Sequence, residues 1–297
     1  MHRQTSFVTL PAINDVLSAE VIFASELQQV TNSFKFRAAW NVVDGISADG
    51  FLAASSGNFG QALACAAQMK GRSCIVVMPD NSAKVKIQAV RSYGATVDLI
   101  DTTKKSRAER VAELAVQHPS FHVASAYDCD LVIAGNASLG KEIAKQNFGA
   151  DMILAPIGGG GLSSGIVLGL CNQGDNTPVW GAEPLLANDA IRSFETGLLL
   201  KNEREPQTIA DGARTISLGS KNWCILKDSL GGIFPVQESF IWEAMRLFSR
   251  QKMRVEPTGS LTLAALLQHQ SDIRGKKIVA VISGGNVDDS LWSMIQS

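Results

Sequence analysis

Short apolar runs alternate with longer stretches of helical period from about residue 50 onward. The runs at 51–54, 74–78, 96–100, 121–124, 152–155, 179–182, 233–236 and 277–282 predict strands. Between them, helical spacing covers 61–70, 83–93, 106–117, 133–146, 162–171, 238–251, 261–269 and 288–295. Several strands, such as Ile75-Val76-Val77-Met78, are apolar at consecutive positions rather than alternate ones, as burial on both faces requires. The pattern therefore predicts an α/β fold with mostly parallel sheets covered by helices on both sides. No low-complexity linker or internal repeat interrupts it, so a second domain would be inserted in the first rather than strung after it.

Ligands of such sheets gather beyond the carboxyl ends of the strands, which directs attention to the loops there. After 152–155, Pro156-Ile157 opens into Gly158, Gly159, Gly160 and Gly161, and a helix starts at Leu162. One or two glycines suffice for a tight turn. Four let the backbone close on an anion, with N–H groups and a helix N-terminus directed at it. After 51–54 come Ser55, Ser56, Gly57 and Asn58, and after 277–282 come Ser283, Gly284, Gly285 and Asn286. Either serine loop alone reads as an N-cap or a turn. Together with the glycine run, they point to one shared pocket. Lys35 adds chemistry, because it sits between Phe34 and Phe36. Most lysines are solvated surface charges, but a desolvated amine has a lowered pKa and is suited to forming a Schiff base.

Composition narrows the ligand. The 297 residues are 45% hydrophobic and only 19% charged, with a net charge of −1 and no basic block. That balance argues against a nucleic-acid or anionic-membrane partner and favours a small molecule. Five cysteines, odd in number and without paired spacing, suggest neither a disulfide framework nor a zinc site. No signal-peptide core follows Met1-His2-Arg3 and no apolar run reaches transmembrane length, so a cytoplasmic location is expected. One rival comes from another class. Gly159-x-Gly161-x-x-Ser164 after a strand, with Glu183 ending the next, approximates a dinucleotide fingerprint, although its third glycine is missing; it would make the chain a nicotinamide-binding oxidoreductase.

Taken in order, Ser33-Phe34-Lys35-Phe36-Arg37, Ser55-Ser56-Gly57-Asn58, Gly158 to Gly161, Glu256-Pro257-Thr258-Gly259 and Ser283-Gly284-Gly285-Asn286 resemble the motifs of the fold-type II pyridoxal-phosphate enzymes, within them the serine/threonine dehydratase and serine racemase family. The resemblance implies two three-layer domains like those of the tryptophan synthase β chain. Residues 1–49 and 129–297 would form a large cofactor-binding domain, and 50–128 a smaller inserted domain that grips the substrate. It further implies that Lys35 forms the Schiff base with pyridoxal phosphate and serves as general base. Gly158, Gly159, Gly160, Gly161 and Leu162 would hold the phosphate. Phe34 would pack on the ring, Asn58 would meet its phenolic oxygen, Ser283 its nitrogen, and Glu256 belongs to the same cofactor-binding set. Ser55, Ser56, Gly57, Asn58 and Arg107 would grip the substrate carboxylate, with Ser56 as acid/base on the opposite face. Glu183, Ala187 and Asp189 match the family's Mg2+ or Ca2+ site, two carboxylates and a backbone carbonyl.

The activity so implied is β-elimination from a hydroxy amino acid such as L-threonine or L-serine to a 2-oxo acid and ammonia. Serine racemisation and threo-3-hydroxyaspartate ammonia-lyase activity are the alternatives on the same scaffold, and a homodimer is expected. Phe59 departs from the family pattern, standing where many relatives carry histidine, which leaves the substrate open. Asn32 and Ala38 replace glycines around the lysine motif. The resemblance begins near Arg3-Gln4-Thr5-Ser6-Phe7 and includes no regulatory domain after Ile295, so feedback by isoleucine is not expected.

Overall fold

The computed structural model describes residues 2–82 and 84–296; Ala83, where the sequence pattern starts a helix, lies outside them. Among the described residues, ten strands form two sheets. In chain order they are β1 (Ser6–Thr9), β2 (Glu20–Ser25), β3 (Gly50–Ala54), β4 (Ser73–Pro79), β5 (Thr96–Ile100), β6 (Phe121–Val123), β7 (Met152–Pro156), β8 (Val179–Pro184), β9 (Leu230–Val236) and β10 (Lys277–Ile282). The large sheet has the order β1-β2-β10-β7-β8-β9, and the small one β5-β4-β3-β6. Every pair is parallel except β1 with β2. The architecture is thus α/β with mostly parallel sheets, as the strand pattern predicts.

Double-sided burial explains the apolar runs. In β7 every residue is buried, and in β10 all but Lys277 are. One core cluster packs β2, β7 and β10 against the helices Glu238–Arg250 and Leu261–Gln268. Another packs the opposite face against the helices Asp130–Gln146 and Gly161–Cys171. The small sheet has its own core, shared with the helix Asn58–Met69. The helix Lys35–Gly45 contributes Phe36, Ala38, Ala39, Val42 and Val43 to that core, although it precedes β3 in the chain.

Strands β1 and β2 and the helices Pro11–Leu17 and Lys35–Gly45 add to the pattern read from residue 50 onward. Arg37 explains why the last is hard to read: it is fully buried within the helix, so the polar positions do not mark a solvent face.

Candidate active site

Lys35 is the first residue of its helix, and the segment before it is fastened to the loop after β10. Phe34 N donates to Ser283 O at 2.9 Å, Gly285 N donates to Asn32 O at 3.0 Å, and Ser33 forms an isolated antiparallel bridge with Gly284. Asn32 takes the left-handed backbone, φ 55°, which asparagine tolerates better than most residues. The Lys35 amine donates to Ala126 O at 2.9 Å, just beyond β6, and lies 5.0 Å from the Phe34 ring centre and 5.9 Å from that of Phe59. Burial lowers its pKa to about 8, against an opposing pull from Glu256. A surface lysine would stay near its ordinary value; this one is poised for nucleophilic chemistry.

Beyond β7, among the described residues, no hydrogen bond is donated by the N–H groups of Gly158, Gly159, Gly160, Gly161, Leu162 or Ser163. The next amide, Ser164 N, bonds Gly160 O at 2.9 Å and starts the helical ladder. A row of unpaired backbone donors at a helix N-terminus suits an anion. The glycines themselves have a second cause. A Cβ on Gly159 would lie 2.3 Å from the Tyr127 ring and one on Gly161 2.8 Å from Tyr127 O, while Gly160 has φ +86°. Packing against Tyr127 and a left-handed turn therefore require the residue type, and the open amides supply the binding.

The loop after β3 is shaped from within. Ser55 Oγ accepts from Gly60 N at 3.0 Å and Gly57 N at 3.4 Å, leaving Ser56 half-buried and Gly57 facing open space. Asn58 begins the helix and has its amide fixed at both ends: Nδ2 donates to Glu256 Oε1 at 2.7 Å, and Oδ1 accepts from Asn286 Nδ2 at 2.8 Å. Asn286 N also donates to Glu256 Oε2 at 3.1 Å. Burial, aided by the charge of Asp211, pushes the Glu256 carboxyl up to about 8. Ser283 Oγ, at the carboxyl end of β10, is buried and has no partner. Such an orphaned hydroxyl calls for a polar group beside it.

Two further sets have partners of their own. Arg107 begins the helix Arg107–Gln117 and pairs with Glu205 at 3.4 Å. Glu183 and Asp189 are both buried. The Glu183 oxygens accept from Ala190 N at 2.9 Å and Ile191 N at 2.8 Å, so this carboxylate caps the helix Asp189–Thr196 rather than facing the glycine loop as a dinucleotide site requires. Asp189 Oδ1 accepts from Asn202 at 2.9 Å and, among the described residues, Oδ2 has no partner within hydrogen-bond geometry; burial raises its pKa to about 7, against a backbone N–H of Leu218, and that of Glu183 well above the ordinary range.

The donor set fits pyridoxal phosphate group by group: open amides for a phosphate, a desolvated amine for an aldehyde, Asn58 for a phenolic oxygen and an orphaned Ser283 hydroxyl for a ring nitrogen. Fold and site together fit an enzyme that uses a phosphorylated aldehyde cofactor. The chain belongs to the pyridoxal-phosphate dependent enzyme family, whose model matches residues 1–284. It is 37% identical to a serine racemase of Dictyostelium discoideum, over 99% of this chain and 92% of that one. It is 36% identical to an L-threo-3-hydroxyaspartate ammonia-lyase of a Pseudomonas species, over 96% and 91%. The solved T.th. threonine deaminase superposes with a TM-score of 0.91 at 37% identity, covering 97% of this chain and 94% of that one. The dinucleotide reading is set aside.

Sequence-based reading misses Ala126, whose carbonyl holds the Lys35 amine, and Tyr127, which wedges into the glycine loop. Both follow β6, and the rule that ligand loops lie at strand carboxyl ends would have drawn attention to them.

Proposed function

We propose that the chain is a β-hydroxy amino acid ammonia-lyase, converting a substrate such as L-threonine or L-serine to a 2-oxo acid and ammonia. The observation that carries it is the desolvated Lys35 amine, held by Ala126 O next to Tyr127, which packs on the glycine loop with its open amides, while Phe34 N bonds Ser283 O. When bound, pyridoxal phosphate supplies an electron sink that acidifies the hydrogen on the substrate α-carbon. Lys35 Nζ takes that proton. The amides of Gly158, Gly159, Gly160, Gly161 and Leu162 hold the phosphate, Asn58 and Ser283 orient the ring, Phe34 packs on it, and Glu256 fixes the Asn58 amide. Ser55, Ser56, Gly57 and Asn58 bind the substrate carboxylate, with Arg107 closing on it once released from Glu205. Loss of water from the substrate and hydrolysis of the resulting enamine balance to oxo acid and ammonium. Ser56 returns a proton from the other face, so serine racemisation is the second reading, supported by the similarity to a serine racemase.

Three further parts belong to this reading. Residues 50–128 act as the substrate-gripping domain and the remainder as the cofactor domain. Glu183, Asp189 and the Ala187 carbonyl bind Mg2+ or Ca2+, supported by two buried carboxylates and an unpartnered Asp189 oxygen. The protein is a cytoplasmic homodimer, supported by five unpaired thiols and by the family resemblance; a monomer by sedimentation would refute the dimer.

The test is spectroscopic and chemical. The purified protein should carry a visible band that Lys35→Ala loses, and should release ammonia and oxo acid from serine, threonine or threo-3-hydroxyaspartate. A colourless protein that takes up no pyridoxal phosphate refutes the reading. In the same assay, chelator should lower activity and Mg2+ restore it, and Ser56→Ala should lose racemisation while keeping the band. Full activity in chelator removes the metal, and unchanged racemisation removes Ser56.

A further inference from the structure

Lys86 lies on the helix Lys84–Ser92, which packs on the small sheet through Ile87 and Val90. Its amine nevertheless reaches the loops of the large sheet. Nζ pairs with Asp211 Oδ2 at 2.7 Å and approaches Asp288 Oδ2 at 4.0 Å. Asp211 begins a short turn, Asp211–Ala213, whose Gly212 N donates to Thr258 Oγ1 at 2.9 Å. The same turn abuts the glycine loop, since a Cβ on Gly158 would meet Ala213 Cα at 2.9 Å. Asp288 follows the Ser283–Asn286 loop by two residues. One ammonium thus ties the small-sheet layer to a turn that abuts the glycine loop and to the segment just after the Ser283–Asn286 loop.

The charges explain why an ammonium is needed there. Burial works against the Lys86 charge, but Asp211, Asp288 and Glu256 more than offset it and hold its pKa above the ordinary value. Without the cation, Asp211 and Asp288 would lose the ammonium they share. Its counterpart, Arg107 with Glu205, joins the same two layers more loosely, at 3.4 Å and with Glu205 half exposed.

We propose that Lys86 is a positioning residue: its bridge to Asp211 and Asp288 clamps the small-sheet layer over the pocket, so that the Ser55–Asn58 loop faces Lys35. The clamp governs how well the amino acid is held and leaves the Lys35 chemistry unchanged. Its kinetic consequence rests on the ammonia-lyase reading; its mechanical consequence does not.

Hydrogen exchange of the pyridoxal-phosphate-loaded protein tests the mechanical part. Lys86→Met should speed exchange in peptides spanning 55–60 and 84–92, and Lys86→Arg should not. In the ammonia assay, Lys86→Met should raise KM by roughly three- to tenfold, as for loss of a partly exposed ion pair, with kcat and the cofactor absorbance unchanged. The charge swap Lys86→Asp with Asp211→Lys should recover affinity that Lys86→Asp alone loses. Unchanged exchange in Lys86→Met, or a swap no better than the single variant, overturns the proposal. A wild-type protein that releases no ammonia overturns the reaction instead, and the exchange result still decides the clamp.

Discussion

At Lys35, among the described residues, the amine has one acceptor, the Ala126 carbonyl at 2.9 Å, and the ring centres of Phe34 and Phe59 lie 5.0 and 5.9 Å away. With a pKa of about 8, the neutral amine is a minor species at pH 7 and dominates at pH 9. Only the neutral form attacks an aldehyde. Reconstitution of cofactor-free protein with pyridoxal phosphate should therefore speed up roughly fivefold from pH 7 to 8 and level off above about pH 9. Stopped-flow absorbance measures this, with a free lysine derivative run in parallel as the reference for an ordinary amine. A rate that keeps climbing tenfold per unit to pH 10 would show an ordinary, solvated amine. The residue was legible in the sequence because its flanking phenylalanines are adjacent in the chain. Ala126 and Lys86 were not, because their partners come from distant segments that only the fold brings together.

Elements buried on both faces announce themselves in the pattern, and β7 and β10 follow the predicted spans closely. Elements that bury polar groups do not. The glycine loop is a mixture: its place between strand and helix was readable, yet its packing against Tyr127 was not. Gly159→Ala places a methyl group 2.3 Å from the Tyr127 ring, so ring or loop must move. The substitution should cost about 1–3 kcal/mol of stability, and it should weaken pyridoxal-phosphate binding because the displaced loop carries the open amides. Adding Tyr127→Ala should restore part of the cofactor affinity by making room. Thermal melting and fluorescence titration read the two effects. A Gly159→Ala protein that melts and binds like wild type would show that the loop yields without consequence.

Across the whole molecule, one buried cation joins parts that no local pattern connects. Arg37, two residues after Lys35, is fully buried and donates to Glu26 Oε2 at 2.7 Å and Oε1 at 3.0 Å, to Glu142 Oε1 at 2.8 Å and Oε2 at 2.9 Å, and to Thr5 Oγ1 at 2.8 Å. Glu26 follows β2, Glu142 lies on the helix Asp130–Gln146, and Thr5 precedes β1. These carboxylates hold the guanidinium pKa above its ordinary value despite burial. Removing the cation alone leaves Glu26 buried without a counter-charge, which typically costs about 3–5 kcal/mol. Arg37→Ala should therefore lower the urea unfolding midpoint steeply, and Glu142→Gln, at the more exposed end, should lower it less. Replacing Arg37 and Glu26 together by Met and Leu should recover much of the loss, because the unpaired charge is then gone as well. A double variant no more stable than Arg37→Ala would mean that the hydrogen bonds to Thr5 and Glu142, rather than charge compensation, hold the lysine helix against the large sheet.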